Sequence, residues 1–447
     1  MFYTAYFRRE AATPPRPVTF LFNGGPGSAT IWLHMGAFGP KRVETKDARH
    51  MAAAPYRLVN NDQSLLDVSD LVFVDAPGTG FGRVVGPDGS AAFHGIDEDA
   101  HAFADFIAQF LSKYRRWNAP KYVFGESYGT TRAAVLVNLL QTDPGIDLNG
   151  VIMLSQVLSG DFFPDQPSAT PGNDLPYILG LPTYAATAWY HTQPGHALPP
   201  DRLAEVERFA IGPYAGALAA GSALDPGERD AIVEKLRDYT GLPAEYLRNA
   251  NLRVAADAFR QALLRDRGLI VGGADTRYTG QTLDRMGRKA AYDPTDAGVT
   301  SAYVSSFNDY VRRELKYGEG KTYRVAVDDI GDKWNFRREP DGNGQERTAN
   351  VLPDLAHAMK LNPLLKVQLN SGVFDLLTPY FQGHYEMRHL PVPAEIQANI
   401  EYRCFRSGHM VYLAPEERAR LHDSVADFIE RTSGAAGSKR PASPVCP

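Results

Sequence analysis

Three short, uninterrupted apolar runs constrain the fold most: Leu71-Val72-Phe73-Val74-Asp75, Tyr122-Val123-Phe124 and Val151-Ile152-Met153-Leu154. Runs with no polar alternation mark strands covered on both faces, as in a parallel sheet. Between the first two, Phe103, Phe106, Ile107, Phe110, Leu111 and Tyr114 recur at spacings of three and four. Asp97, Glu98 and Asp99 open that segment; Lys113, Arg115 and Arg116 close it, and Pro120 follows. Both charge sets complement a helix dipole, so the segment reads as an amphipathic helix. Strand–helix–strand order of this kind predicts an α/β fold with a mostly parallel central sheet.

The pattern changes after residue 155. Asp225-Pro226-Gly227-Glu228 reads as a helix start with Pro at the first helical position, opening a helix towards Tyr239. A second helix is expected from Pro243 towards Arg267, then glycine- and proline-containing loops around Gly318–Gly320 and Gly342–Gly344. Strand-like runs return at Lys366–Leu369 and Ile400–Phe405, and a last helix follows Pro415. The expected organisation is a core over residues 1–155, a large, mostly helical insertion over 156–350, the rest of the core over 351–432 and a disordered tail over 433–447. At the other end, Met1–Phe7 reads as a strand and Val18–Phe22 as its hairpin partner.

Charge and composition exclude several functions. With 47 Lys+Arg against 52 Asp+Glu, the net charge of −5 supplies no basic surface for a phosphate backbone, so no nucleic-acid partner is expected. No apolar run approaches about 18 residues, so no membrane span is expected. Cys404 and Cys446 are too few for a disulfide framework or a four-ligand zinc site, and Cys404 reads as a packed strand residue, not a nucleophile. Gly78-Thr79-Gly80-Phe81-Gly82-Arg83 places Arg83 where a dinucleotide fingerprint needs its third glycine, and no Walker sequence occurs. Neither a cofactor nor a metal is expected, and the sequence leaves the oligomeric state open.

The chemistry gathers elsewhere. Gly125-Glu126-Ser127-Tyr128-Gly129 is a G-x-S-x-G sequence. Forty glycines make a chance match easy, but chance does not favour a strand before it and an apolar helix after it. The glycines permit the sharp turn that lifts a serine hydroxyl out of a sheet. A nucleophilic serine needs a base and a group to orient that base. Asp375 follows the run ending at Leu369, and His409 follows the run ending at Phe405, both where strand ends deliver active-site loops. His384 and His389 fall in an expected helix and carry less weight. Asn23-Gly24-Gly25-Pro26-Gly27-Ser28 follows another strand, and its bend can offer N–H groups to an oxyanion beside the N–H of Tyr128.

Together these stretches, with Asp75-Ala76-Pro77-Gly78-Thr79-Gly80-Phe81 and Gly408-His409-Met410, resemble the serine carboxypeptidase family, peptidase family S10, in order from about residue 1 to 430. Leu181–Tyr190 is similar to that family's bacterial branch. The resemblance implies an α/β-hydrolase fold with a helical cap. It further implies release of C-terminal residues through an acyl-enzyme on Ser127, with His409 as base, Asp375 orienting it, and Gly25 and Tyr128 as oxyanion donors. The implied partner is a peptide or small acyl substrate with a free C-terminal carboxylate, held by Asn23, Gly24 and Glu126. An esterase or acyltransferase on the same triad is the alternative. Three departures stand out: Ala37 occupies the position of a second carboxylate-binding glutamic acid, Gly82 that of a serine, and the family's export signal and additional N-terminal strand sequence are absent. The resemblance implies an exported protein, and the absent segments suggest that Met1 is an internal start or the chain a truncated product.

Overall fold

The computed structural model describes residues 1–9, 15–86, 89–162, 171–193, 198–338, 347–434 and 446. The expected loop at Gly342–Gly344 and most of the expected tail (435–445 and 447) lie outside the described residues. Seven strands form the central sheet: β1 (Phe2–Tyr6), β2 (Val18–Phe22), β3 (Asp70–Asp75), β4 (Lys121–Glu126), β5 (Gly150–Leu154), β6 (Lys366–Gly372) and β7 (Ile400–Phe405). Their spatial order is β1-β3-β2-β4-β5-β6-β7, and every pairing except β1 with β3 is parallel.

The hairpin expected between the first two strands does not form. β1 pairs with β3, Phe2 opposite Asp75 and Tyr6 opposite Leu71, while β2 lies between β3 and β4. Burial explains the exchange. All five residues of β2 are buried and take an interior place; all five of β1 are half-buried and suit an edge.

Helices α1 (Ile96–Lys113) and α2 (Tyr128–Thr142) pack on one face. The α1 stripe meets the sheet as its spacing predicts: Phe103 lies edge-on to Phe22 at 5.1 Å and Phe110 edge-on to Phe20 at 5.3 Å. Between α1, α2 and β2, the Arg132 guanidinium is wholly buried. It donates to Asp99 Oδ2 at 2.6 Å and to the Asn23 carbonyl at 2.8 Å, and lies 4.3 Å from the Phe103 ring. Burial pushes the Asp99 carboxyl up, against the pull of Arg132. Removing one partner strands a buried charge. Asp99→Ala is therefore expected to cost about 3–5 kcal/mol, and Asp99→Leu with Arg132→Met much less. Denaturant midpoints at unchanged slope check this; a single-variant loss no larger than the double would refute it.

Between β5 and β6 the chain is mostly helical and includes α3 (Leu175–Thr192), α4 (Pro200–Phe209), α5 (Pro226–Thr240) and α6 (Pro294–Arg313). Asp225 caps α5, accepting from the N–H groups of Gly227 and Glu228. Helices α3 to α5 and the chain just after them bury an apolar core of their own, with Tyr184, Val206, Leu236 and Phe259, which reaches Leu376 and Phe381 of the later chain, while α6 packs Val299, Tyr303 and Phe307 into the core against the sheet. The single helix expected from Pro243 towards Arg267 is broken into short pieces at Asn251 and Leu252, both at positive φ (49° and 65°). The turn buries Leu252 and presents its carbonyl to the Tyr214 hydroxyl at 2.6 Å. Helices α7 (Tyr380–Arg388) and α8 (Pro415–Thr432) complete the chain. Cys404 is buried in β7 as expected but is not free: it is disulfide-bonded to Cys446. No helix among the described residues is long and apolar enough to cross a membrane.

Candidate active site

Ser127 occupies the one-residue turn between β4 and α2, at φ 59° and ψ −131°, a region non-glycine residues rarely enter. The backbone around it is tightly packed. A Cβ on Gly125 would stand 2.2 Å from the Gly129 carbonyl oxygen, and one on Gly24 would stand 2.4 Å from the Tyr128 nitrogen. The Ser127 N–H donates to the Leu154 carbonyl at 2.9 Å, tying the turn to the end of β5, and the residue is partly exposed. Its hydroxyl does not cap α2. The N–H groups of Gly25 and Tyr128 meet no acceptor among the described residues.

Asp375 and His409 follow β6 and β7, so both stand at the carboxyl ends of parallel strands, as Ser127 does. His409 Nδ1 lies 2.8 Å from Asp375 Oδ2. Asp375 also accepts from the N–H groups of Leu377 (2.9 Å) and Thr378 (3.0 Å) and from the Thr378 hydroxyl (2.7 Å). In the neutral ring, with Oδ2 as acceptor, the imidazole proton belongs on Nδ1 and Nε2 carries none. The Ser155 hydroxyl, one residue beyond β5, donates to the His409 carbonyl at 2.7 Å. Burial alone would lower the His409 pKa; the charge and hydrogen bond of Asp375, with Glu126 and Asp296, outweigh it and raise the pKa to about 9.

Glu126 is buried beside the serine. Its Oε2 accepts from Asn23 Nδ2 at 2.8 Å, and both its oxygens lie 3.0 Å from the Tyr412 hydroxyl. Burial raises its pKa to about 7, although His409, Tyr412 and Asn23 oppose the rise. Asn23 Oδ1 accepts from the Leu33 N–H at 3.1 Å, which starts a six-residue π-helix, Leu33–Phe38. Ala37 lies in that helix, fully buried among apolar side chains. The partners of Glu126 are thus an amide and a phenol in place of a second carboxyl.

Of the candidates from sequence, Ser127, Asp375, His409, Glu126, Asn23, Gly24, Gly25 and Tyr128 all lie at this end of the sheet. His384 is buried in α7 near Cys404, and its pKa falls to about 3 through burial. Three contributors had no sequence signal: Tyr412 on Glu126, Thr378 on Asp375, and Arg132, which holds the Asn23 carbonyl. A phenol three residues after a histidine, or a threonine three after an aspartate, fits no periodicity.

Residues 1–160 match the serine carboxypeptidase family. No curated protein matches the chain in sequence. Among solved structures, Kex1ΔP, a prohormone-processing carboxypeptidase from Saccharomyces cerevisiae, is 14% identical over 96% of this chain and 86% of its own, with a TM-score of 0.53. A proline iminopeptidase from Mycobacterium smegmatis is also 14% identical, over 96% and 94%, with a TM-score of 0.39. The fold is that of an α/β hydrolase with a helical cap. The likeness to the serine carboxypeptidases in sequence spans β1 to β5 and includes Ser127 and the Asn23–Ser28 loop.

Proposed function

We propose that this chain is a serine carboxypeptidase-type hydrolase, releasing C-terminal residues from peptides through an acyl-enzyme on Ser127. The observation that carries the reading is the 2.8 Å Asp375–His409 hydrogen bond at the carboxyl ends of strands in the same sheet that carries Ser127 in a strained turn. His409 Nε2 takes the Ser127 proton as the hydroxyl attacks the scissile carbonyl. The free N–H groups of Gly25 and Tyr128 receive the oxyanion. The imidazolium returns its proton to the leaving amine, and water repeats the cycle on the ester. Asn23, Gly24 and Glu126 hold the terminal carboxylate of the substrate; Glu126 can do so only while protonated, because a second carboxylate beside it is repelled.

Hydrolysis of one N-blocked dipeptide as free acid, amide and ester tests the reading. Preference for the free acid supports it. Cleavage of the ester alone would replace it with an esterase or an acyltransferase on the same residues. Failure to react with a serine-directed phosphonate would point to a binding protein.

A pH dependence follows from Glu126. As pH rises through about 7, Glu126 loses its proton and gains a charge of the substrate's sign. For the free acid, kcat/KM is expected to level off between about pH 7 and 9, where ionisation of Glu126 offsets deprotonation of His409, and to fall above about pH 9, with KM rising from about pH 7. For the amide it should keep rising towards pH 9 as His409 deprotonates. Glu126→Gln should abolish the fall and lower the kinetic pKa of His409, whose proton Glu126 stabilises. Profiles of both substrates between pH 4 and 10 check this; identical shapes would refute the role.

A further inference from the structure

The loops bearing Asp375 and His409 are bonded to one short stretch of the intervening chain, residues 272–277, which follows the strand Leu269–Val271. Leu376 N–H donates to the Gly273 carbonyl at 2.9 Å, and Thr276 N–H donates to the Phe374 carbonyl at 3.0 Å. These two bonds flank Asp375 on either side. His409 N–H donates to the Ala274 carbonyl at 2.6 Å. The contact has no slack: a Cβ on Gly408 would stand 2.2 Å from the Ala274 oxygen and 2.4 Å from Asp275 Cβ.

The stretch is itself held from behind. Asp293 Oδ2 accepts from the N–H groups of both Gly273 and Ala274 at 2.9 Å, while its Oδ1 caps α6 through the Thr295 N–H at 2.8 Å. In front, Arg277 is 7% exposed and pairs with Asp275 at 2.6 Å and Asp47 at 3.0 Å. Its Nη2 donates to the Ser407 hydroxyl at 3.1 Å, and its guanidinium lies 5.5 Å from the Phe374 ring. A buried ion pair gains little net stability against desolvation, so what Arg277 supplies is a fixed geometry between Phe374 and Ser407.

We propose that residues 272–277 are a positioning element that sets the Asp375–His409 geometry, with Arg277 as the side chain that locks it to the His409 loop. The proposal rests on the triad reading given above. Misplacing a reacting group by about 1 Å costs on the order of 100-fold in rate, whereas substrate affinity depends on Asn23, Gly24 and Glu126, which the element does not touch.

The test uses the full chain, with active sites counted by phosphonate titration. Arg277→Met is expected to lower kcat per titrated site by about 10- to 100-fold, with KM unchanged. In Arg277→Met with Asp275→Asn, which leaves no unpaired buried carboxylate beside Gly408, the kinetic pKa of His409 should fall as its bond to Asp375 loosens; Glu126 and Asp296, which also raise it, are unaltered. Arg277→Lys keeps the charge without the fork and should recover part of the rate. If Arg277→Met does not fold, Ser407→Ala, which removes one acceptor, should lower kcat by about fivefold with the same direction of pKa change. The low-field NMR resonance of the His409 Nδ1 proton reads the same geometry without turnover, and should shift or broaden in these variants. A lowered melting temperature with kcat per site, pKa and resonance all unchanged would overturn the proposal. An inert wild type that still shows the resonance shift would overturn the triad reading and leave the positioning element standing.

Discussion

Ser127→Ala is expected to lower kcat on every acyl substrate by about 10⁶-fold, because no other group can form the acyl-enzyme. The variant should keep its fold. Alanine adopts φ 59° no more readily than serine does, and the Ser127 N–H bond to the Leu154 carbonyl involves only backbone. Binding of a free-acid product should also survive, since Asn23 Nδ2 and the Tyr412 hydroxyl on Glu126 are untouched. Phosphonate labelling and steady-state rates, read beside product titration, check both halves. Residual hydrolysis within about 100-fold of wild type would mean that Ser127 is not the nucleophile.

Asp375→Asn is the second large effect, about 10⁴-fold in kcat, and its cause is a proton on the wrong nitrogen. In the wild type, Oδ1 takes the N–H groups of Leu377 and Thr378, and Oδ2 takes the Thr378 hydroxyl and His409 Nδ1. The amide oxygen of asparagine can keep the first pair. Its NH₂ then faces His409 Nδ1, which must accept, so the imidazole proton moves to Nε2 and faces the serine. The fold is retained and the base is disabled. The His409 pKa should also drop from about 9, since the charge and hydrogen bond of Asp375 are its chief supports against burial. A change in kcat below tenfold, with the thermal midpoint unchanged, would refute the orienting role.

The sheet was largely legible because its strands are continuous apolar runs, and a parallel sheet buries both faces. The serine turn was legible because a strand and an apolar helix flank it. What escaped is what depends on distant partners. Val18–Phe22 looks like a hairpin partner to its neighbour; only competition for the interior of the sheet sends it to β3 and β4. Leu252 reads as helix, yet burying it in the cap core needs a left-handed turn. Helix α6 has a legible start at Asp293-Pro294-Thr295, where Asp293 caps the helix and Pro opens it. The bonds from Gly273, Ala274 and Thr276 to the strand-end loops are backbone contacts across about 100 residues or more, and no side-chain pattern announces them.

The sheet order has a consequence for how the molecule fails. Ser127 hangs on β4, in the interior, but His409 hangs on β7, an edge strand, with β6 its single neighbour in the sheet. Outer strands open more readily than inner ones, and such local opening needs less free energy than global unfolding. Heat or denaturant should therefore separate base from nucleophile while most of the sheet is intact, so that loss of turnover precedes loss of circular dichroism. Shelf life would then be governed by one peripheral ribbon instead of by the melting point of the whole.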